Sequence, residues 1–305
     1  MRLPPPTAVF VKIARAAYNN GLIRIFLSKP VTWDVFYSGL RLVHGDTFKL
    51  DIGGVRFIFY SPHRPYDSET YLTTFITKPY YEHSVVMHLQ QVIKSFTSPT
   101  FLDVGAHFGY YTIYMSKLGG PSSKIYSFEP NSDYIKILSR NVRLNNLRNV
   151  SLHQIALSDR KGTATMEASK RFRSAGFVLG KRRMRKVNAS DTSSDEQVLA
   201  IPFDELAESA GIRPDIVKID VHGAEGNVIA GMKRALGESV SHLYCELHDE
   251  MRNEGYSVRD IVDMLRDAGM QTFEFGSFRS QNGQIKDIPE NIFSKPADRM
   301  VYARK

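Results

Sequence analysis

Apolar positions along this chain repeat with two different periods, and the switching between them predicts a layered fold. Phe48, Leu50, Val55, Phe57 and Phe59 alternate with other residues around Gly53-Gly54, the signature of a β-hairpin. Residues 61–80 are rich in Tyr, Thr, Pro and Ser without periodicity and read as a loop or lid. Val85, Val86, Leu89, Val92 and Ile93 then repeat at helical spacing. From there strands and helices alternate. The expected strands are Thr100–Val104, Lys124–Glu129, Val150–Ala156, Asp215–Val221 and His242–Glu246. The expected helices are Tyr110–Lys117, Asp133–Asn146 and Ala224–Leu236, followed by one capped by Ser257 with Val258, Ile261, Val262 and Leu265 on one face. Late strands at Gln271–Phe275 and Arg299–Ala303 finish the sheet, as a hairpin at its far side. Such alternation implies an α/β domain, a mostly parallel sheet with helices on both faces. No internal repeat is visible.

Glycines and acids mark where this scaffold carries chemistry. The apolar strand in Phe101-Leu-Asp-Val-Gly-Ala-His-Phe-Gly109 runs into a glycine turn, and the next strand, Lys124-Ile-Tyr-Ser-Phe-Glu129, ends on an acid. That is the layout of a nucleotide-like site: glycines let the backbone approach a ligand, and a carboxylate one strand later accepts hydrogen bonds from ribose hydroxyls. The loop lacks the third glycine of a dinucleotide fingerprint, and no phosphate-cradling G-x-x-x-x-G-K-[ST] segment exists. A ligand with adenosine but no pyrophosphate fits better, and S-adenosylmethionine is the obvious one.

At this point the chain resembles a family. Asp103-Val-Gly-Ala-His-Phe-Gly109, Phe128-Glu-Pro130, the Asn141 and Asn145 pair, Ala156-Leu-Ser-Asp159, Lys218-Ile-Asp-Val-His-Gly-Ala-Glu225 and Glu246-Leu-His248 follow in that order over roughly residues 82–250. Together they are similar to the FkbM family of S-adenosylmethionine-dependent methyltransferases. The resemblance implies a Rossmann-like class I methyltransferase fold with a seven-stranded, mostly parallel sheet. The domain would cover 81–305, behind a helix and hairpin extension over 1–80. It also implies a sugar, glycan or lipid-linked acceptor. One departure is His222, which stands where the family usually has Glu.

The residues so marked form two groups. On the cofactor side, Gly105, Ala106, His107 and Gly109 make the turn, Glu129 takes the ribose, and Ala156 and Asp159 border the adenine. The resemblance puts Glu82 near the methionine moiety; a favourable charge at a helix start is its other reading. Asp103 either orients the turn and the ligand's amino group or caps the next helix. His107 has a solvent-facing loop role open to it. Asn131 and Asn145 have cofactor-shell roles open beside turn and helix-end ones. Asp159 bonds the exocyclic amine or starts a turn.

On the acceptor side, methyl transfer to a hydroxyl needs a group to take its proton. His222 and Asp220 are the first candidates, with Glu225, Glu246 and His248 as competitors. Asp220, Glu246 and His248 could also hold a divalent metal that polarises the acceptor, but no tight ligand spacing supports this, so a metal-free mechanism is expected. Lys218, amid apolar strand residues, calls for a carboxylate partner.

Composition adjusts this picture at the margins. The 305 residues carry a formal charge of +8, which favours anionic partners. Cys245 is the only cysteine, so no internal disulfide forms and a reducing, cytoplasmic setting fits. No run of 18 apolar residues exists, and the N-terminus makes a poor signal peptide. Residues 7–27 suit an amphipathic helix, packed on the domain or against a membrane surface. An insertion over 160–201 holds Lys170, Arg171, Arg173, Lys181, Arg182, Arg183, Arg185 and Lys186. It is either a solvated loop or a flap that attracts an anionic acceptor. An RNA methyltransferase and a non-catalytic cofactor-binding protein are the alternatives. Against the former, no RNA-binding module is recognisable, and nucleic acid is not the expected partner.

Overall fold

The computed structural model describes residues 45–62, 81–167, 176–179, 196–279, 282–288 and 299–305. The expected 7–27 helix, most of the 61–80 segment and the basic middle of the insertion lie outside them.

Strands β1 (Thr47–Ile52) and β2 (Val55–Tyr60) pair antiparallel around Gly53 and Gly54, whose φ of 57° and 85° are what a two-residue hairpin turn of this hand requires. After them come α1 (His83–Val92), β3 (Thr100–Val104), α2 (Tyr110–Gly119), β4 (Lys124–Phe128), α3 (Ser132–Leu144) and β5 (Val150–His153). β6 (Ala156–Leu157) then precedes the insertion, which contributes β7 (Gly162–Glu167), β8 (Gly176–Leu179) and β9 (Glu196–Ile201). Next are α4 (Phe203–Ala210), β10 (Ile216–Ile219), α5 (Glu225–Ala230), α6 (Lys233–Glu238) and β11 (His242–Leu247). The chain closes with α7 (Val258–Asp267), β12 (Gln271–Gly276), β13 (Gln284–Asp287) and β14 (Arg299–Arg304). Ser257 and Asp260 form the capping box at the start of α7.

The main sheet has the order β13-β12-β14-β11-β10-β3-β4-β5, with β11, β10, β3, β4 and β5 parallel. It therefore has eight strands rather than seven. The additional strand, Gln-Ile-Lys-Asp at β13, holds one apolar residue and so carries no readable period. The late strands do pair with each other, but β14 lies inside, antiparallel to both β11 and β12. Strand order reverses between β3 and β10, the point beyond whose carboxyl ends open α/β sheets bind their ligands.

Pleating sends alternate residues to opposite faces. Leu102, Val104, Val217, Ile219, Leu243 and Cys245 enter one core with α5 and α7. Phe101, Ile216 and Tyr244 enter the other with α1, α2 and the hairpin. Two residues further on, this second face turns polar, with Asp103, Lys218 and Glu246 all buried.

Two other expected elements are divided. The strand expected over Val150–Ala156 leaves the main sheet after His153, and β6 joins a second sheet of order β6-β9-β7-β8. The helix expected over Ala224–Leu236 breaks into α5 and α6 at Gly231, where a Cβ would collide with the carbonyl oxygen of Ser158. Among the described residues no helix is long and apolar enough to cross a membrane.

Candidate functional site

The first half of the site is the turn leaving β3. The backbone N–H groups of Gly105 and Ala106 both donate to the carbonyl of Phe128, at 2.9 and 3.0 Å, tying the turn to the end of β4. Glycine is required at 105 because φ is 82° and a Cβ would strike the carbonyl oxygen of Asp220. At Gly109, with φ of 88°, a Cβ would strike Leu138 on α3. The close approach at both positions is thus chain against chain, and the first joins the turn directly to the strand end carrying Asp220.

Glu129 follows β4 and is only 5% exposed. One carboxylate oxygen accepts the N–H of His107 at 2.8 Å, the other that of Asn131 at 2.9 Å. Burial pushes its pKa up to about 7, although both backbone bonds oppose the rise. His107 takes φ of 50°, and its ring stacks on Phe108 at 4.0 Å with Tyr134 edge-on at 4.4 Å. Asn131 is the N-cap of α3, accepting from the N–H groups of Asp133 and Tyr134 at 3.0 Å each.

Asp103 points into the sheet's second face, where the Thr112 hydroxyl donates to it at 2.5 Å. Burial raises its pKa to about 6. The N-cap of α2 is Gly109, so Asp103 meets that helix at Thr112 within its first turn. Ala156 pairs with Ala200 in the second sheet and is buried there. The Asp159 carboxylate accepts from Ser158 at 3.1 Å and from Asn227 at 3.3 Å.

Asn145 lies elsewhere, with a physical reason that also explains Asn141. The Asn145 amide accepts from the N–H of Ile58 at 2.8 Å and donates to its carbonyl at 2.6 Å. Asn141 does the same with Tyr60, at 2.6 and 2.9 Å, and also donates to the Phe108 carbonyl at 2.8 Å. Four residues of helix rise about 6 Å and two residues of strand about 6.8 Å, so the two amides act as a short extra strand along β2. They anchor the hairpin to α3 and to the turn after β3.

The second half of the site surrounds Lys218. Its buried ammonium lies 3.5 Å from Asp220, 3.8 Å from Glu246 and 4.0 Å from Glu82, with the Tyr111 ring 5.3 Å away. Burial alone would lower its pKa, but Asp220, Glu82 and Glu246 outweigh that and raise it. Tyr111 donates to Glu82 at 2.5 Å, and Arg279 bonds Glu246. Burial, then Asp220 and Glu82, raise the pKa of Glu246.

Beyond Lys218, Asp220 faces two imidazoles. His222 Nε2 and His248 Nε2 each lie 3.8 Å from Asp220 Oδ1, and the two rings are 4.2 Å apart. His248 Nδ1 bonds Glu225 at 2.7 Å. Glu225 is fully buried and accepts the Gly223 N–H at 3.0 Å, which removes it from contention as an acceptor base. Burial would raise Asp220, but Lys218, His222 and His248 hold it well below the usual carboxylate range. Burial lowers the pKa of His222. His248 is pushed up to about 9, since Glu225 and Asp220 outweigh its burial. The side chain of His222 is 43% exposed, so of the three it is the one most open to a ligand. The pairing of His248 with Glu225, and the parts of Tyr111 and Arg279, carry no signal in the sequence beyond residue type.

The second sheet borders both halves. Its core of Ala156, Ala164, Met166, Val198 and Ala200 packs on Val221 and Ala224, which flank His222. Glu196 of β9 accepts the Ser132 N–H at 3.2 Å, next to Asn131.

Residues 103–272 match the methyltransferase FkbM domain, a range that starts and ends about 20 residues after the span read from the sequence motifs. A hexuronic acid methyltransferase, AglP of Haloferax volcanii, is 28% identical over 171 residues, covering 56% of this chain and 62% of that protein. The chain thus spans less than two thirds of that relative's length. Methyltransferase sdnD of Sordaria araneosa is 27% identical over 189 residues, covering 54% of this chain and 73% of that protein. A crystal structure of methyltransferase FkbM from Methylobacillus flagellatus superposes with a TM-score of 0.41 at 15% identity, covering 68% of this chain and 44% of that one.

Proposed function

Because the chain belongs to the FkbM methyltransferase family, we propose that it is an S-adenosylmethionine-dependent O-methyltransferase acting on a saccharide acceptor, free, glycan-borne or lipid-linked. One observation carries the reading. The Gly105 turn abuts the Asp220 carbonyl, so a ligand held at Glu129 ends beside the cluster of Asp220, His222 and His248.

The residues fit an adenosyl ligand. Each oxygen of the Glu129 carboxylate already accepts one backbone N–H and keeps further lone-pair capacity for a ribose hydroxyl. The bound cofactor supplies a methyl group on a sulfonium. The chain supplies the rest. Gly105, Ala106, His107 and Gly109 shape the turn, and Asn131 holds the start of α3 so that its own N–H reaches Glu129. On the acceptor side, Asp220 and His222, just beyond the carboxyl end of β10, orient the attacking oxygen; holding two reactants aligned is worth several kcal/mol of barrier. A saccharide hydroxyl must lose its proton as the new bond forms, whereas a uronic acid carboxylate has none to lose. The hexuronic acid named for the Haloferax volcanii relative offers both kinds of oxygen. The buried free Cys245 suits a cytoplasmic setting.

The test is to incubate the purified protein with methyl-labelled S-adenosylmethionine and a panel of sugars, uronic acids, nucleotide sugars and total RNA. Label should enter a saccharide, with S-adenosylhomocysteine formed in equal amount. Label entering RNA alone, or no turnover with any acceptor, would refute the proposal.

A further inference from the structure

We propose that Asp220, His222 and His248 form a binding site for one divalent transition-metal ion, open towards the acceptor. The donor atoms Asp220 Oδ1, His222 Nε2 and His248 Nε2 all lie within 4.8 Å of one another, with both nitrogen-to-oxygen separations at 3.8 Å. That is beyond hydrogen-bonding reach. Two ligands of one ion with bonds of about 2.1 Å are separated by roughly 3.0 to 3.4 Å in octahedral or tetrahedral geometry. Each nitrogen-to-oxygen separation must shorten from 3.8 Å by roughly 0.4 to 0.8 Å to reach that range, which side-chain rotation can supply.

Three independent features point to a cation. Asp220 Oδ1 is buried and has no hydrogen-bond partner, while the other oxygen faces Lys218. His248 Nδ1 is engaged by Glu225 at 2.7 Å, which turns Nε2 to the carboxylates of Asp220 and Glu246, at 3.8 and 3.7 Å, the carboxylate–histidine support typical of metal ligands. His222 is held at φ of 49°, a conformation costly for a residue with a Cβ, and this brings its ring beside that of His248. A second acidic triad, Glu82, Asp220 and Glu246, also has converging oxygens, but Lys218 already lies within 4.0 Å of each.

Two imidazoles and one carboxylate suit zinc, manganese, iron or cobalt better than magnesium or calcium. Its role in catalysis rests on the methyl-transfer reading; its existence does not. An acceptor hydroxyl reaching the ion would become more acidic and release its proton to solvent. The oxygen–carbon bond then forms as the sulfur–carbon bond breaks, and sulfur keeps the electron pair.

The experiment uses the full chain, stripped with chelator and titrated with zinc by calorimetry and with cobalt by visible absorption at pH 8. One ion per chain is expected, with ligand-field bands from nitrogen coordination. His222→Ala should weaken binding at least tenfold, and Glu225→Gln, acting through His248, by about 10- to 100-fold. Circular dichroism checks folding, and His222→Gln serves as the milder variant if His222→Ala is unstable. No binding at micromolar metal, or undiminished binding in a folded His222→Ala or His222→Gln protein, overturns the site. Turnover that survives chelation overturns the ion's catalytic role. Failure to bind S-adenosylhomocysteine would count against the methyl-transfer reading and leave the metal stoichiometry standing.

Discussion

Glu129→Gln should separate cofactor recognition from everything else the fold does. In the native protein one oxygen of Glu129 accepts from His107 and the other from Asn131, at 2.8 and 2.9 Å. A glutamine can satisfy one of those N–H groups, while its own NH2 faces the other donor and can no longer accept from a ribose hydroxyl. Hydrogen bonds to a charged group are worth about 1.5–3 kcal/mol each, and two such bonds to the ribose are lost or weakened. A total near 3 kcal/mol corresponds to roughly a hundredfold weaker binding at about 1.4 kcal/mol per decade. The raised pKa sets a second signature. Only the ionised carboxylate accepts freely, so native affinity for S-adenosylhomocysteine should fall as pH drops below about 7, with proton release on binding. Stability has the opposite sense. The folded state holds this proton up to about pH 7, whereas the ordinary value is 4.5. The stabilisation from proton uptake is therefore full below pH 4.5 and is lost as pH rises through 7, a slope the glutamine should abolish. Binding calorimetry across pH 5.5 to 8.5 in two buffers of different ionisation enthalpy measures the affinity and the proton release, and denaturant unfolding from about pH 4 to 8.5 measures the stability slope. Affinity that is flat with pH, or a Gln variant binding within threefold of native, would refute the reasoning.

Other perturbations probe the scaffold. Asn145→Ala removes both side-chain bonds to Ile58 and should cost about 2–4 kcal/mol in denaturant unfolding, because backbone groups lose their partners. Unchanged stability would mean that the amide ladder contributes nothing. Gly105→Ala, at φ of 82° and against the Asp220 carbonyl, should abolish S-adenosylhomocysteine binding or folding outright; a folded variant with native affinity would contradict the packing described. Lys218→Met leaves three carboxylates around an apolar group and should destabilise by about 3–5 kcal/mol, read as a lowered melting temperature.

Much of the geometry of the candidate site is legible in the sequence where it is local, as in the turn after β3 and the acid after β4. Gly105 and Glu129 directly follow strands and Gly109 caps the helix between them, all within 25 residues, so the turn chemistry of glycine and the strand period place them. The acceptor half was legible only in part. His222 and Asp220 stand in one motif, yet their convergence with His248 depends on β10 and β11 lying side by side. Asn141 and Asn145 were visible as a spaced pair, but an amide carries no sign of whether it will meet a ligand or the edge of a hairpin some 80 residues earlier.

The sequence alone determined the strands β3, β4, β10 and β11, the helices α1, α2, α3 and α7, the hairpin at Gly53-Gly54 and the cap at Ser257, because each follows from neighbours within one or two turns of chain. Only the tertiary structure decided that β14 slips between β11 and β12, that β6 leaves for a second sheet, and that one buried ammonium at Lys218 is shared by three carboxylates. Those outcomes depend on which surfaces meet across tens of residues, and burial, shape and charge balance settle them only once the layers have packed.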